Sequence, residues 1–453
     1  MNLSVIILAA GAGTRMRSQK PKVLHRLAGT PMVEHVYNTS RELGAAHIHV
    51  VYGHGGDQLK QTCKHFDVQW ALQAEQLGTA HAVEQASVNV ADDDIALILY
   101  GDVPLISADT LKQLIDNVKA DDIALLTVVL DDPTGYGRIV RDNDDNVIAI
   151  VEHKDASDDV KKIAEVNTGI MAMRAGYLNA CIRKIENDNA QGEYYLTDVI
   201  ALAVNDGNHV HATHAMNRYE VEGVNDRKQL ARLERVHQRN IADQLLADGV
   251  MLADPGRIDI RGKLVAGSDS FIDINCVFEG DVHIGSNVTI GAGCVISDSR
   301  IGDDVVIKPY SVIEDAVMEP GSDAGPFARL RPGAVLKQNS HVGNFVEVKN
   351  TVIGDGSKVG HLSYLGDSEI GRDVNIGAGT ITCNYDGANK HKTVIKDGAF
   401  IGSDTQLVAP VTVGKDATIG AGSTITRDTE DGKLTLSRSS QKSVEGWLRP
   451  TKK

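Results

Sequence analysis

Phosphate chemistry is indicated by a glycine-rich segment near the start of the chain. Residues 8–16 read L-A-A-G-A-G-T-R-M, and Pro21 and Lys22 follow shortly after. Glycines in such a turn let backbone N–H groups approach a triphosphate. The cations of Arg15 and Lys22 can neutralise the charge that builds on phosphate during transfer. A glycine-rich turn alone is more often only a tight connection, but the added T-R-M and P-K favour a nucleotide site.

An acidic residue stands where a parallel sheet would present it to that site. The apolar run Ile95–Tyr100 predicts a buried strand, and Gly101 and Asp102 come directly after it. Ligands bind at the carboxyl ends of strands in open α/β sheets. Asp102 could instead cap a strand end, but no helix that it would cap is evident. Phosphoryl-type transfer relies on positioning and charge neutralisation, so no protein nucleophile is required.

A second set of reactive residue types lies in the back half. Basic and polar residues interrupt a repetitive apolar pattern there, namely Arg329, Arg331, Lys349, His361 and the loop 383–392. A neutral histidine can accept a proton near neutral pH, which would let an amine attack a thioester. A lone histidine in a repeat is more often structural, but the neighbouring breaks favour a catalytic role for His361.

The elements that must position the first set alternate between strands and helices. Residues 3–9 and 47–52 predict strands, and residues 32–43 between them predict a helix. This order is typical of parallel βαβ units. From about Arg227 to Gly249, apolar residues spaced among charged ones predict one long amphipathic helix. We interpret this helix as the connector between two domains.

The elements that must position the second set are short and repetitive. An apolar residue recurs every six positions, with one slip of a single residue. Such a period over so long a span predicts a parallel β-helix, in which each short strand points one such side chain inward. Glycines beside these residues would permit the adjoining turns, as at Gly285, Gly291, Gly354, Gly377, Gly402 and Gly420. The repeat positions are Ile272, Phe278, Ile284, Ile290, Ile296, Ile301, Ile307, Ile313, Ile353, Val359, Leu365, Ile401, Leu407, Val413, Ile419 and Ile425.

Composition sets limits on the class of protein. A chain of 453 residues is expected to form at least two cores. Its net charge of −15 disfavours long nucleic acids as partners, since these need extended basic surfaces. Neither a membrane span nor a signal peptide is predicted, because runs of about 18 apolar residues are lacking. We therefore expect a cytoplasmic protein, and an aromatic content of 4% suggests repetitive packing rather than large aromatic clusters.

Cysteines and clustered histidines offer other chemistries. The five cysteines form no C-x-x-C pair, which predicts free thiols rather than disulfides or a zinc site. Cys294 and Cys383 could react with thiol reagents, but no local motif pairs either with a histidine for catalysis. The alternation of His209, His211 and His214 would suit a metal. Because no carboxylate or cysteine lies near them in sequence, we favour a solvated strand.

Together these residues make the chain resemble the sugar-nucleotide pyrophosphorylases, in the branch that carries a hexapeptide-repeat acyltransferase domain. The resemblance implies a Rossmann-like α/β nucleotidyltransferase domain with a mostly parallel sheet over residues 1–227. A linker helix over 228–248 and a left-handed parallel β-helix domain with a C-terminal tail over 249–453 would follow. Further matching segments are 73–79 (Q-A-E-Q-L-G-T), 100–102 (Y-G-D), 135–138 (G-Y-G-R), Glu152, 167–169 (N-T-G), 194–198 (Y-Y-L-T-D) and 222–225 (E-G-V-N).

For the front domain, the resemblance implies Mg²⁺-dependent uridylyl transfer from UTP to N-acetylglucosamine 1-phosphate. Asp102 and Asn225 would hold the Mg²⁺ ion. Ala12 stands where many relatives carry a basic residue, which removes one possible phosphate contact. Lys22 and Arg15 would act in catalysis. Uracil would be recognised by Gln73, Gly78 and Thr79, and the sugar by Gly137, Glu152 and Asn167. The remaining nucleotide- or sugar-binding residues would be Leu8, Ala9, Ala10, Gly11, Gly13, Lys22, Tyr100 and Gly101.

For the back domain, the resemblance implies acetyl transfer from acetyl-CoA to glucosamine 1-phosphate, with His361 as general base. Arg438 could pair with a phosphate of the coenzyme. Such sites lie between the subunits of a homotrimer. The sugar phosphate would be held by Arg331, Lys349, Tyr364, Asn375 and Lys390, and the amino sugar or acetyl-CoA by Ala378, Asn384, Tyr385, Ser403, Ala421 and Arg438.

Two other functions remain open at the level of sequence. One is a single-activity nucleotidyltransferase whose β-helix only assembles subunits, and His361, Lys349 and the loop 383–392 count against it. The other is a non-catalytic scaffold, which leaves the glycine-rich segment, Lys22 and Asp102 without an explanation. The tail residues Trp447, Arg449, Lys452 and Lys453 could cover an adjacent subunit or fray.

Overall fold

A computed structural model describes residues 2–11, 13–53 and 55–452, so that Ala12 and Lys453 lie outside the described residues. The chain forms two compact units, Met1–His237 and Gln238–Lys453. The division falls inside the helix Arg227–Ala247, which corresponds to the expected connector. Among the described helices, none combines the length and the apolar character that crossing a membrane requires.

The first unit alternates strands and helices as expected. Its strands are β1 (Leu3–Leu8), β2 (Arg26–Leu27), β3 (Thr30–Pro31), β4 (His47–Tyr52), β5 (Gln69–Leu72), β6 (Ile95–Tyr100), β7 (Ile123–Val129), β8 (Arg138–Arg141), β9 (Val147–Val151), β10 (Glu165–Arg174) and β11 (Val210–His214). Its helices are α1 (Met32–Glu42), α2 (Gly56–Thr62), α3 (Thr79–Ser87), α4 (Ala108–Ile115), α5 (Ala175–Ile182) and α6 (Asp198–Asn205), and α7 (Arg227–Ala247) begins in it.

The main sheet has the order β11-β7-β10-β6-β1-β4-β5. Strand β1 pairs in parallel with β4 on one side and with β6 on the other, whereas β10 is antiparallel to β6 and β7. The expectation of a mostly parallel α/β sheet is therefore confirmed. The parallel neighbours of β1 thus lie on opposite sides of it, β4 on one side and β6 on the other. Such a change of direction in strand order leaves a crevice at the carboxyl ends of the strands.

Burial on both faces explains why β1 is a continuous apolar run. Ile6 and Leu8 belong to the core on one face of the sheet, and Val5 and Ile7 to the core on the other. Strands covered by helices on both faces need apolar residues at successive positions. This packing fixes where β1 ends, and so fixes the start of the glycine-rich turn.

The second unit is a parallel β-helix. One sheet, called here the first face, stacks β12, β14, β16, β19, β22, β25, β27, β29, β32, β35 and β37, and the remaining strands form a second sheet over the other sides. The strands are β12 (Met251–Leu252), β13 (Ile258–Ala266), β14 (Phe271–Ile272), β15 (Cys276–Ile284), β16 (Thr289–Ile290), β17 (Val295–Ser297), β18 (Arg300–Ile301), β19 (Val306–Ile307), β20 (Val312–Glu314), β21 (Val317–Met318), β22 (Asp323–Ala324), β23 (Arg329–Leu330), β24 (Val335–Leu336), β25 (His341–Asn344), β26 (Glu347–Ile353), β27 (Lys358–His361), β28 (Tyr364–Ile370), β29 (Asn375–Ile376), β30 (Ile381–Cys383), β31 (Thr393–Ile395), β32 (Phe400–Ile401), β33 (Gln406–Val408), β34 (Val411–Val413), β35 (Thr418–Ile419), β36 (Thr424–Ile425) and β37 (Leu434–Thr435).

The expected six-residue periodicity is confirmed by burial. The repeat positions from Ile272 to Ile425 all belong to one continuous buried core. Equivalent positions stack directly, as where Ile296 pairs with Ile313 and Leu330 with Val348. Burying each aliphatic side chain contributes roughly 1.5–3 kcal/mol. The stacked repeat therefore supplies the stability of the unit.

The glycines beside the repeat positions act differently from the expectation. A Cβ atom on Gly377 would lie 2.5 Å from the backbone nitrogen of Ser403, and one on Gly402 would lie 2.5 Å from that of Ala421. These glycines therefore allow close approach between coils. The turns themselves use left-handed residues that follow, such as Asp373 with φ of 55°.

Candidate functional sites

A cleft of about 300 Å³ opens at the carboxyl ends of β1 and β6. It brings together most of the residues expected to bind nucleotide. Gly101 adjoins it, because its backbone N–H donates to Leu8 O at 2.9 Å. The lining residues are Leu8, Ala9, Ala10, Gly11, Lys22, Val23, Gln73, Gln76, Gly78, Thr79, Ala82, Tyr100, Asp102 and Glu193.

Charged and amide groups converge at the mouth of this cleft. The Lys22 ammonium donates to Asp102 Oδ2 and, at 3.3 Å, to Asn225 Oδ1. Arg15 Nη2 donates to the same Asn225 oxygen at 2.8 Å. A Cβ atom on Gly13 would lie 2.6 Å from Lys22 Cβ, so the absence of a side chain there makes room for the lysine. Residues that are up to 210 positions apart thus meet at one point.

The oxygen donors at this point fit a magnesium ion. Asp102 offers a carboxylate and Asn225 an amide oxygen, and a single ammonium group contacts both. Mg²⁺ prefers oxygen ligands and commonly takes one or two carboxylates together with substrate phosphates and water. The two residues expected to hold the ion therefore lie close enough to share one cation.

Expected uracil-recognition residues lie together on one side of the cleft. Gln73 is buried, and its Nε2 donates to Gly78 O at 3.1 Å. Gly78 has φ of 119° at the start of α3, and a Cβ atom there would lie 2.5 Å from Tyr194 O. Thr79 Oγ1 accepts from the Leu196 N–H at 3.0 Å. Only glycine fits the turn that aims these groups into the cleft.

Gln76 and Glu193 also line the cleft, although no role was predicted for them. Gln76 Nε2 donates to Ala10 O at 2.5 Å and so ties the glycine-rich turn to the opposite wall. Both lie in or beside segments that carry the resemblance, Gln76 within 73–79 and Glu193 just before 194–198. A polar residue inside a matching segment was the signal available in the sequence.

The residues expected to hold the sugar form a neighbouring group. Asn167 N–H donates to Gly137 O at 2.9 Å, and a Cβ atom on Gly137 would lie 3.2 Å from Glu152 Oε1. Burial raises the pKa of Glu152, although Thr197 donates to its carboxylate at 3.3 Å. Burial also raises the pKa of Tyr100, reinforced by the charges of Asp102 and Glu152. The charges of Asp102 at the cleft mouth and of Glu152 in this group therefore both act on Tyr100.

In the second unit, three cations gather on the outer side of the sheet that contains β26 and β28. Arg331 Nη1 donates to Glu347 Oε1 at 2.7 Å. Lys390 lies against Lys349 and lowers the pKa of that amine, since like charges disfavour each other. An excess of positive charge on an exposed surface suits a phosphate group. Arg331, Lys349 and Lys390 are thus brought together as expected.

A glycine and an aspartate that the sequence analysis missed complete this surface. Gly366 pairs with Lys349, and a Cβ atom on it would lie 2.4 Å from Tyr364 Oη and 2.8 Å from Asn384 Nδ2. Asp367 accepts hydrogen bonds from Asn384 and from Asn350. The absence of a side chain at Gly366 therefore lets Tyr364 and Asn384 pack directly over it, while Asp367 anchors Asn384.

The loop 383–392 is held in a defined shape over this surface. Asp386 accepts from the N–H groups of Ala388 and Asn389 at 2.8 and 2.7 Å and pairs with His391. These contacts hold the pKa of Asp386 well below its usual range. A short bridge between Tyr385 and Lys390 closes the loop. These contacts order the loop and hold Lys390 beside Lys349.

His361 lies at the end of β27, exposed, just before the turn that leads from the first face to β28. The turn residues along this edge of the β-helix, which we call the corner, are Tyr310, Phe327, Phe345 and Leu362, all with positive φ, and the three aromatic rings stack in succession. In successive coils, the positions equivalent to His361 are Ala378, Ser403 and Ala421, and Arg438 donates to Ala421 O at 2.6 Å. Small side chains thus continue the line of His361 toward Arg438.

One expected residue is not brought to the cationic surface. Asn375 lies on the first face, where β29 pairs with β27 and β32, next to Lys358 and Phe400. Lys349 and Tyr364 lie beyond the corner. Within one chain, the residues expected for acetyl transfer therefore fall into two groups, one on each side of the corner.

The five cysteine thiols differ in how far they are exposed. Cys63, Cys181, Cys276 and Cys294 are buried, and Cys383 is partly exposed. Cys294 is fully buried, and burial raises the pKa of its thiol to about 12, which disfavours the reaction with thiol reagents that the sequence left open. Two hydrophobic coils enclose its sulfur, which periodicity alone did not reveal.

The histidine triplet has partners that were distant in sequence. His211 Nε2 lies 2.8 Å from Asp122 Oδ2, and His214 Nδ1 lies 3.0 Å from Thr127 Oγ1. Within the described ranges, no grouping of three or more histidine, cysteine or acidic side chains is arranged to hold a metal. A carboxylate does reach the triplet, but it serves as a hydrogen-bond partner at the sheet edge.

Comparison with known proteins agrees with this division of the chain. Residues 5–162 match the family model of the MobA-like NTP transferase domain. Residues 267–298 and 392–427 match the bacterial transferase hexapeptide model of six repeats. The structure of a nucleotidyl transferase from Methanothermobacter thermautotroptrophicus is 17% identical, with a TM-score of 0.38, over 53% of this chain and 99% of that one. The two family models together indicate a nucleotidyltransferase domain followed by a hexapeptide-repeat transferase domain.

Proposed function

We propose that the protein makes UDP-N-acetylglucosamine in two steps, one in each unit. The second unit would acetylate glucosamine 1-phosphate with acetyl-CoA, and the first would then join the product to the uridylyl group of UTP. The observation that carries the proposal is the meeting of Lys22, Arg15, Asp102 and Asn225 at the mouth of a nucleotide-sized cleft. That arrangement suits transfer between phosphates.

In uridylyl transfer, the sugar 1-phosphate oxygen attacks the α-phosphorus of UTP and pyrophosphate leaves. Lys22 and Arg15 offset the negative charge that develops on the phosphates. Gln73 and Thr79 hold the base, while Glu152 and Asn167 hold the sugar, so the reacting groups are aligned. A Mg²⁺ ion held by Asp102 and Asn225 would supply further charge neutralisation when bound.

In acetyl transfer, the sugar amine attacks the thioester carbonyl carbon, the carbon–sulfur bond breaks, and coenzyme A leaves. His361 takes the proton that the amine nitrogen loses and returns it to the departing sulfur. Arg331, Lys349 and Lys390 would hold the 1-phosphate. The coenzyme would bind along the line of small side chains formed by Ala378, Ser403 and Ala421, which leads from His361 to Arg438.

We also propose a homotrimer, because one chain divides the acetyl-transfer residues between two sides of the corner. Along this corner, Tyr310, Phe327, Phe345 and Leu362 are 57%, 48%, 55% and 63% exposed. A contiguous exposed apolar strip of this kind is typical of an interaction surface. Packing of a second copy against the corner would cover the strip and bring that copy's Asn375 toward the cationic surface.

One experiment tests both activities together. The protein is supplied with glucosamine 1-phosphate, acetyl-CoA, UTP and Mg²⁺, and the sugar nucleotide is identified by mass spectrometry. UDP-N-acetylglucosamine is expected. His361→Ala should abolish release of the coenzyme A thiol while the variant still releases pyrophosphate from UTP and N-acetylglucosamine 1-phosphate.

The alternative is a single-activity nucleotidyltransferase whose β-helix only assembles subunits. It predicts pyrophosphate release without any thiol release from acetyl-CoA in the wild type. The cationic surface of Arg331, Lys349 and Lys390 favours the bifunctional proposal, because assembly alone does not require three neighbouring cations. Absence of both products would contradict either enzyme function.

A further inference from the structure

The side chains of Asn344 and His361 are hydrogen-bonded across adjacent coils. His361 Nδ1 lies 2.7 Å from Asn344 Oδ1. The two residues are register partners in β25 and β27. The sequence predicts His361 as the general base, whereas Asn344 is not among the residues that the sequence predicts for the site.

We infer that Asn344 is a positioning residue for His361, fixing the imidazole with its proton on Nδ1 and its lone pair on Nε2. The inference rests on the acetyl-transfer function proposed above. An amide oxygen only accepts hydrogen bonds, so the ring nitrogen that faces it must carry the proton. Nε2 is then free to receive a proton from the substrate amine.

The backbone holds both partners of this hydrogen bond in place. The N–H of Leu362 donates to Asn344 O at 3.1 Å, and Ser363 Oγ donates to His361 O at 2.8 Å. A Cβ atom on Gly343 would lie 1.8 Å from Gly360 O. Glycine at 343 therefore allows the two coils to approach closely beside the pair. The separation of Asn344 from His361 is set by the coil stacking rather than by a mobile loop.

The chemistry of the partner distinguishes this pair from a carboxylate–histidine pair. An amide orients the ring through a hydrogen bond without placing a full negative charge beside it, whereas a carboxylate would add one. Substitution by aspartate preserves the acceptor, whereas substitution by leucine removes it at nearly equal volume.

The test uses full-length protein labelled with ¹⁵N-histidine, with the His361 signals assigned by comparison with His361→Gln. For the wild type at pH 8, we expect a protonated Nδ1 and an unprotonated Nε2. Asn344→Leu should shift His361 toward the Nε2-protonated tautomer. It should also lower kcat for acetyl transfer by about a hundredfold, with KM for glucosamine 1-phosphate within about threefold. Asn344→Asp should keep the Nδ1–H tautomer and keep kcat within about tenfold of the wild type.

Uridylyl transfer by the first unit is the internal control for intact protein in each variant. A wild-type His361 protonated on Nε2 would overturn the inference, and so would an Asn344→Leu variant with unchanged tautomer and kcat. If the leucine variant misfolds, the aspartate variant still decides, because loss of the Nδ1–H tautomer there contradicts the role. A wild type without acetyl transfer would refute the proposed function, while the ¹⁵N spectrum would still test the orientation of the ring.

Discussion

The ammonium group of Lys22 is paired with the carboxylate of Asp102 at the mouth of the cleft, and most of both side chains is buried. Lys22 comes from the turn after the glycine-rich segment, and Asp102 from the end of β6. The pair joins the two segments that the sequence singled out separately. A nucleotide phosphate entering the cleft offers Lys22 an alternative anionic partner, which would release Asp102 to a metal ion.

Lys22→Ala should lower kcat for uridylyl transfer by about 10²–10³-fold, since removing one preorganised cation leaves transition-state charge uncompensated. Pyrophosphate release measures this effect. Lys20→Ala is the matched control, because Lys20 lies two positions away and its ammonium does not contact Asp102 or Asn225 in the described residues. Similar losses in both variants would contradict a specific role for Lys22.

Asp102→Ala should abolish uridylyl transfer and spare acetyl transfer, because the variant loses the carboxylate that fits Mg²⁺. Manganese can be used as a paramagnetic probe, and its nucleotide-dependent binding, followed by electron paramagnetic resonance, should be lost as well. The exposed Asp109 in α4 provides a control variant, Asp109→Ala. Near-normal uridylyl transfer by the Asp102 variant would refute the metal role.

Gly366→Ala should raise KM for glucosamine 1-phosphate at least about tenfold, because the added methyl group would displace the side chains of Tyr364 and Asn384 that pack over the glycine. Thiol release at varied sugar concentration gives KM and kcat separately. Gly360→Ala is the matched control, since a Cβ atom there meets nothing within 4 Å. Equal kinetics of the Gly366 variant and the wild type would show that the placement of Tyr364 and Asn384 does not affect sugar binding.

The double substitution Phe327→Ser and Phe345→Ser should shift the protein from trimer toward monomer, because it removes two rings from the exposed apolar strip. Light scattering coupled to size exclusion measures the mass. Acetyl transfer should fall together with the trimer fraction while uridylyl transfer persists. A stable trimer in the double variant would place the interface elsewhere on the second unit.

Acid should destabilise the first unit through two half-buried histidines, His35 and His237. Burial lowers the pKa of His237 to about 4, and it also lowers the pKa of His35, whose ring centroid lies 5.4 Å away. The unfolded chain takes up protons below about pH 6.5, before the folded state does. The contribution of His237 is thus fully present above that pH and is lost as pH falls toward 4, by at most about 3 kcal/mol.

His237→Gln should therefore flatten the fall of melting temperature between pH 6.5 and about 4. Circular dichroism at helical wavelengths reports the first unit, where most of the helices lie. His47→Gln, at an exposed position, should leave the slope as in the wild type. An unchanged slope in the His237 variant would rule out this linkage.

Apolar patterns made much of the fold predictable. Alternating elements in the first half and the six-residue repeat in the second are direct consequences of burial, and both were confirmed. The meeting of Lys22 with Asp102 followed from the rule that ligands bind at carboxyl ends of parallel strands. Sequence patterns could not identify Asn344, Asp367 or Gly366, because their neighbours depend on which residues stack in successive coils.

The three aromatic rings of the exposed apolar strip could not be predicted as neighbours from the sequence either. An aromatic content of 4% suggested no large clusters, yet Tyr310, Phe327 and Phe345 stack with centroids 5.3 and 5.4 Å apart. They occupy equivalent turn positions in consecutive coils, so the regular fold aligns residues that are scattered in sequence. The percentage of aromatic residues does not show which of them are neighbours, because that depends on the stacking of the coils.

The stacked coils before β23 carry none of the acetyl-transfer candidates, which begin at Arg331. In a solenoid, each coil depends mainly on its two neighbours. His283 and Arg300 occupy equivalent positions in adjacent coils. The number of early coils can therefore change by whole turns, which changes the length of this part of the β-helix. Natural variation in the number of coils would then lengthen or shorten this part of the molecule without redesign of its chemistry.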